Sequence, residues 1–117
     1  MSDRRTHRVA SLIRAELSRL FIEEIADPRV KEVTVTQVEV SGDLKNARVY
    51  FDAPFLNELK RLSEVQRGLD RVKPFIRKRM AENVGLRYVP DFKFEYDTQS
   101  QELTKLYQAF DEIRKES

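Results

Sequence analysis

The 117 residues suffice for one domain, and 22 Lys and Arg against 20 Asp and Glu give a formal net charge of +2. The lack of cysteine excludes disulfides and thiolate metal sites, and a single histidine, His7, excludes most zinc sites and nucleophile–histidine pairs. No apolar run approaches the ~20 residues that span a bilayer, and the charged start is unlike a secretory signal, so we expect a cytoplasmic globular protein.

The chain begins with an amphipathic pattern. Apolar residues recur at three- and four-residue steps over residues 6–25 and predict a helix with Thr6 as its N-cap. Asp27-Pro28 is expected to end this helix, because the proline ring disfavours helical geometry at the preceding residue. Glu16 falls within the apolar stripe, so we expect it to pair with a cation at a helix–sheet edge.

Two strands are predicted next, at residues 32–40 and 46–52, and their short connection indicates a β-hairpin. The four valines of the first strand fall in two pairs of opposite parity, so a strict two-residue period cannot place them on one face. We favour a β-bulge near Thr36-Gln37 that resets the register. The alternative is a strand covered on both faces.

The second half of the chain predicts two helices, a strand and a last helix. An apolar stripe indicates a helix over residues 57–72, and Pro74 suits the first turn of a new helix ending near Gly85. Residues 91–97 alternate strictly and predict a strand, with its aromatic residues facing inward. Residues 100–115 carry a final amphipathic pattern.

The order α-β-β-α-α-β predicts an α+β domain with a three-stranded sheet and helices packed on one face. The whole chain, 1–117, is expected to be this single domain, with the helix at 100–115 appended at its C-terminus. The same element order occurs in type II KH domains, which bind single-stranded RNA or DNA.

Positive charge is concentrated in residues 60–79, which hold eight cations and two acids. Lys60, Arg67 and Arg71 fall opposite the apolar side of their helix. Such a basic surface is typical of proteins that bind a phosphate-rich partner. The alternative is a solvated surface, as for most charge runs. Further arginines begin the first helix, against the preference of the helix dipole. The predicted RNA-binding residues are Lys60, Arg67, Arg71, Lys73, Arg77, Lys78, Arg87, Arg4, Arg5 and Arg8.

Catalysis is not expected, because no nucleophile, base and orienting group can be assembled. Glu23, Glu24 and Asp27 are read as the polar end of a helix before a proline turn. We therefore predict no enzyme activity, no cofactor and no metal. Among the aromatic residues, Tyr50 and Tyr88 are the best candidates for stacking on a base, since the others follow core parity.

In its order of motifs the chain resembles the ribosome-binding factor A family over residues 8–97. The motifs that carry the resemblance are Arg8-Val9-Ala10, Glu16-Leu17, Asp27-Pro28-Arg29, VTVTQVEVSGDL at 33–44, ARVY at 47–50, Phe75-Ile76-Arg77 and LRYVPDFKFEYD at 86–97. The resemblance implies a KH-like, non-catalytic protein that binds the free small (30S) ribosomal subunit through 16S rRNA. It further implies a role in late subunit maturation, including 5′-end processing of the 16S precursor, and in growth at low temperature.

The chain departs from the family pattern in two places. The family typically has Ala-x-Gly at the helix junction, where this chain has Val72-Lys73-Pro74. Without glycine a close backbone approach to phosphate is not expected, so contacts should come from Arg and Lys side chains. After Asp97 the chain also lacks the family's longer segment.

Two other functions remain open. The apolar stripe of the last helix could belong to a protein-docking module. A ribosome hibernation factor is also small and ribosome-bound, but that family begins with a strand. We expect a monomer with no membrane and no small-molecule substrate.

Overall fold

The computed structural model describes residues 4–56 and 58–98, together with Ala109 and Ile113. These residues form α1 (Arg4–Glu23), a 3-10 turn (Pro28–Val30), β1 (Thr34–Val40), β2 (Asn46–Asp52), α2 (Leu59–Asn83) and β3 (Asp91–Tyr96). β2 is central in the sheet, antiparallel to β1 and parallel to β3. The helix predicted at 100–115 lies almost entirely outside the described residues.

The sheet has one buried face, which carries both helices. Alternate residues of β2 and β3 point into the core, which also takes the apolar stripes of α1 and α2. The opposite face is polar and largely exposed. The inward residues of the sheet are Val35, Val38, Ala47, Val49, Phe51, Phe92 and Phe94. The α+β class with helices on one face is therefore confirmed.

A bulge interrupts β1 where the valine parity changes. Val35 pairs with Phe51, whereas Gln37 pairs with Tyr50, so Thr36 is the extra residue. The shift turns Val35 and Val38 to the same buried face, although they are three positions apart. The Thr36 hydroxyl donates to a carboxylate oxygen of Asp97 at 2.6 Å. The predicted bulge is confirmed at its predicted position.

The N-terminal helix begins earlier than predicted. It starts at Arg4, and Thr6 lies inside it with only 3% of its surface exposed. Thr6 is thus not an N-cap, because it lies inside α1. It belongs to the buried side of this helix, together with Val9 and Ile13. Glu16 does pair with a cation, Arg19, at 2.6 Å. It also accepts a hydrogen bond from Asn83, so it lies between the two helices and not at a helix–sheet edge.

The predicted break at Pro74 is wrong, because α2 runs unbroken from Leu59 to Asn83 with Pro74 inside it. A proline there removes one helical hydrogen bond and costs about 3 kcal/mol. A continuous helix keeps Leu69, Ile76 and Met80 on one fully buried stripe. Each of these side chains contributes roughly 1.5–3 kcal/mol by burial, so packing outweighs the local preference.

Gly68 allows the 3-10 turn to lie directly against α2. A Cβ at position 68 would stand 2.8 Å from Cγ1 of Val30 and 3.0 Å from Cβ of Arg29. Val30 is fully buried by this contact. Asp27 caps the turn by accepting from the Arg29 backbone amide at 2.9 Å, and the Arg29 guanidinium donates to the same carboxylate at 2.7 and 3.0 Å.

These hydrogen bonds from Arg29 lower the pKa of Asp27 from 3.8 to about 2. Because the folded-state pKa is depressed, the stabilisation is fully present above about pH 4 and is lost as the pH falls towards 2. Asp27→Asn keeps the cap but removes the charge. We expect it to lower the melting temperature at neutral pH, with the difference from wild type shrinking below about pH 4. Thermal unfolding across this range measures it, and a difference independent of pH would contradict the assignment.

Candidate nucleic-acid interface

A continuous α2 aligns four of the predicted cations. Lys60, Arg67, Arg71 and Lys78 are separated by seven, four and seven residues, which are close to whole numbers of helical turns. All four are exposed. They lie opposite the buried Leu69 side of the helix and span about 27 Å at 1.5 Å per residue. We call these four residues the α2 stripe.

The side chains of the α2 stripe have no ion pair and no hydrogen bond within the described ranges 4–56 and 58–98. Arg71 lies near enough to Asp27 for its charge to help lower the pKa of that carboxyl, as a minor contribution beside the bonds from Arg29. The charged heads are therefore available to an anion. An exposed lysine or arginine without a partner can bind phosphate without first breaking an internal contact.

Other arginines are held by carboxylates, in contrast to the α2 stripe. Arg19 pairs with Glu16, Glu23 and Glu24 at 2.6, 3.0 and 2.7 Å. Arg79 pairs with the same Glu24 at 3.0 Å, so this carboxylate joins α1 to α2. Hydrogen bonds from the two guanidinium groups lower the pKa of Glu24. The guanidinium groups of Arg19 and Arg79 therefore help to connect the two helices. Because they are already paired with carboxylates, they are less available to a partner than the α2 stripe.

Two predicted residues of α2 lie apart from the stripe. Arg77 donates to the carbonyl of Pro90 at 2.7 Å and to a carboxylate oxygen of Asp91 at 3.1 Å, so its guanidinium holds the start of β3. Lys73 is half-buried beside a groove of about 580 Å³ at the start of β2 and β3. Arg77 and Lys73 are therefore not part of the α2 stripe.

The remaining predicted cations lie outside α2. Arg4, Arg5 and Arg8 are exposed in the first two turns of α1. At 100° per residue they fall within about 100° of one another around the helix axis. Arg87 is exposed in the loop after α2. Arg5 and Arg87 line one groove, and the turn between β1 and β2 adds Lys45 to it. Sequence reasoning did not select Lys45, since nothing local distinguishes it from other turn lysines.

The two candidate tyrosines differ in availability. Tyr50 is half-buried on the outer face of the sheet, and its hydroxyl lies 3.4 Å from a carboxylate oxygen of Glu39. Tyr88 is 74% exposed, and the guanidinium carbon of Arg87 lies 5.5 Å from the centre of its ring. Tyr88 is therefore the better placed of the two for stacking.

The arrangement suits the binding of a polyanion. Within residues 4–56 and 58–98, no group of three or more His, Cys, Asp or Glu is placed to hold a metal ion. No helix in the described part of the chain is long and apolar enough to cross a membrane. Unpaired basic heads on a rigid helix offer phosphate contacts, which fix the position of a nucleic acid without reading its sequence.

Comparison with known proteins gives a consistent result. The family model described as Ribosome-binding factor A matches residues 5–110. The Ribosome-binding factor A of Syntrophobacter fumaroxidans is 38% identical over 117 residues, covering 98% of each chain. The crystal structure of ribosome-binding factor A from Thermus thermophilus matches with a TM-score of 0.67 at 23% identity, over 78% of this chain and 93% of that one, which shows the shared fold.

A further matching set of coordinates bears on the partner of a relative. It is a homology model of the Thermus thermophilus ribosome-binding factor A fitted into the cryo-electron microscopy map of a 30S–RbfA complex. Its TM-score to this chain is 0.52 at 31% identity, and the match covers 72% of this chain and 90% of that one. That relative is thus a protein that forms a complex with the small ribosomal subunit.

Proposed function

The chain belongs to the ribosome-binding factor A family, and we propose that it binds the free 30S ribosomal subunit through 16S rRNA and assists late maturation of that subunit. The observation that carries the proposal is the α2 stripe, whose four basic heads are unpaired within the described residues and lie along one helix face. The 30S complex formed by a relative supports the choice of partner. The protein acts by binding, with no catalytic step.

Phosphate contacts from the α2 stripe position the protein on folded rRNA. Contacts of this kind release counterions, so binding weakens as salt is added. If the four stripe residues each meet one phosphate, log affinity falls against log salt with a slope near −3. Specificity then comes from the shape of the RNA surface, since phosphates carry no sequence information.

The experiment that tests the proposal is sedimentation of the purified protein with free 30S subunits and, separately, with complete 70S ribosomes. We expect co-sedimentation with the free subunits and little with complete ribosomes. Equal binding to both particles would indicate a role outside maturation. Failure to bind free subunits at low salt would refute the proposal.

The maturation role has finer parts that rest on the family. We propose that the protein promotes 5′-end processing of the 16S precursor, supports growth at low temperature, and acts as a monomer in the cytoplasm. Cells lacking the protein should accumulate 16S precursor with an unprocessed 5′ end, most strongly in the cold. Primer extension on the rRNA of such cells measures this, and normal 5′ ends in the cold would remove the processing role.

A further inference from the structure

A second basic surface lies just beyond the C-terminal end of α2. The N-terminal part of α1, the turn between β1 and β2 and the loop after α2 enclose a groove of about 650 Å³. Its apolar lining includes Val9, Leu44 and Leu86, and Arg5, Lys45 and Arg87 stand around it. We call this the Tyr88 groove, because Tyr88 is the exposed large hydrophobic side chain of its lining.

The loop that carries Tyr88 is held at both ends. Gly85 ends α2 with a positive φ of 72°, a conformation that glycine adopts without strain. At the other end, the guanidinium of Arg77 donates to the carbonyls of Val89 and Pro90 at 3.4 and 2.7 Å, and Pro90 is fully buried. Arg87 and Tyr88 therefore project from a fixed segment of backbone.

The turn on the facing side of the groove is equally fixed. Asp43 accepts hydrogen bonds from the Ser41 hydroxyl at 2.6 Å and from the Lys45 amide at 3.0 Å. The Lys45 carbonyl in turn accepts from the Asp91 amide at 2.9 Å, which joins the turn to β3. Both walls are thus organised before any partner arrives, and little ordering is needed on binding.

The chemistry of the groove identifies its occupant. An exposed tyrosine ring beside a guanidinium is a stacking surface for a nucleobase, and apolar side chains below it suit a base withdrawn from water. Arg5, Lys45 and Arg87 outnumber the one carboxylate of the groove, Asp43, which already accepts two internal hydrogen bonds. A net positive groove with a stacking platform favours a nucleotide over an apolar or basic peptide.

We propose that the Tyr88 groove binds one unstacked nucleotide of the ribosomal RNA, with its base on the Tyr88 ring and its phosphate beside Lys45 and Arg5. This inference rests on the proposed function but concerns a separate surface. Both surfaces supply salt-dependent phosphate contacts, and the Tyr88 groove adds a stacking contact that the α2 stripe lacks. The stacking contact recognises an RNA loop or bulge whose base is already turned outward.

A fluorescence experiment tests the stacking directly. The chain has no tryptophan, so Tyr88→Trp creates a single reporter at the groove while wild type serves as the blank. Protein-free 16S rRNA is the probe, and filter retention measures binding in parallel. We expect tryptophan emission to be quenched as rRNA binds. Binding without quenching would overturn the proposal, because an indole stacked on a base cannot keep its free emission.

Affinity for free 30S subunits gives a second test. Replacing the ring, Tyr88→Ala, should weaken binding by roughly ten- to a hundredfold, since stacking on an aromatic residue contributes that much per base. Tyr88→Phe, the matched control, keeps the ring and should bind like wild type. The loss in Tyr88→Ala should be the same at every salt concentration, with an unchanged salt slope.

The outcomes separate this proposal from the proposed function. If Tyr88→Ala binds subunits as tightly as wild type while wild type itself binds, the Tyr88 groove is not a nucleotide site and the function stands. If wild type fails to bind free subunits, the function fails, and quenching by protein-free rRNA still decides the groove. Quenching by extracted ribosomal proteins but not by rRNA would assign the groove to a protein partner and overturn the proposal.

Discussion

Replacing Arg67 and Lys78 together by Glu is expected to weaken binding to free 30S subunits by roughly a hundredfold or more. Each residue offers an unpaired, exposed charge on the α2 stripe, and a hydrogen bond to a charged group contributes on the order of 1.5 kcal/mol. A Glu at position 67 would also stand one turn from Arg71 and pair with it. The salt slope should fall by about two.

Arg71 is left unchanged in this variant for a structural reason. Its positive charge contributes to the low pKa of Asp27, so its reversal would disturb the cap of the 3-10 turn as well as the surface. Arg67 and Lys78 have no such role among the described residues. The double variant should therefore melt close to the wild-type temperature, as surface changes away from packing and pairs usually do.

A matched control separates local from total charge. Arg14→Glu with Lys93→Glu changes the net charge by the same amount at two exposed positions outside α2, one on α1 and one on the outer face of the sheet. This control should lose much less affinity than the α2 variant at 0.1 M salt, where exposed charges beyond about 10 Å are screened. Equal losses would mean that the partner senses only net charge, and the α2 stripe would no longer be the binding surface.

Gly68→Ala is expected to destabilise the fold by up to about 2 kcal/mol, although alanine favours a helix interior over glycine by about 1 kcal/mol. The added methyl group would meet Cγ1 of Val30 at 2.8 Å and Cβ of Arg29 at 3.0 Å. Forcing extra volume into a packed contact typically costs about 1–3 kcal/mol, so the clash outweighs the gain in helix preference. Urea denaturation measures the difference in the free energy of unfolding.

A double-mutant cycle tests the cause. Val30→Ala alone should destabilise by about 2 kcal/mol through loss of buried surface. In the double variant, the methyl group at position 68 occupies space that Val30→Ala has vacated. We therefore expect the two changes together to destabilise by at least about 0.5 kcal/mol less than their sum, as coupled neighbours do. Additive changes, or a stabilised Gly68→Ala, would show that the turn does not press on α2.

Much of the fold could be predicted from residue periodicity. The opposite parities of Val35 and Val38 required a register change, and the bulge lies where that argument placed it. The wrong prediction was the break at Pro74. Local preference indicated two helices, but burial of Ile76 and Met80 on the same side as Leu69 favours one. Tertiary packing of this kind is not visible in the residues next to the proline.

The predicted RNA-binding residues divide along similar lines. The exposure of Arg67 and Arg71 followed from the apolar stripe of one helix, which any periodic sequence reveals. The internal role of Arg77 could not be predicted, because its carbonyl partners lie twelve and thirteen residues away in an irregular loop. Gly68 did leave a signal, since a lone glycine inside a helical pattern often marks a close contact.

The unbroken course of α2 has a consequence for the kind of RNA it accepts. A rigid helix fixes the separation of Lys60 and Lys78 at about 27 Å. The α2 stripe therefore cannot adjust to an RNA backbone whose phosphate spacing varies. A loose strand would lose conformational entropy to match that spacing, whereas a completed tertiary fold already supplies it. The protein should consequently bind folded rRNA more tightly than unfolded rRNA. It would then recognise an rRNA surface that has already formed and would not direct the folding of that surface.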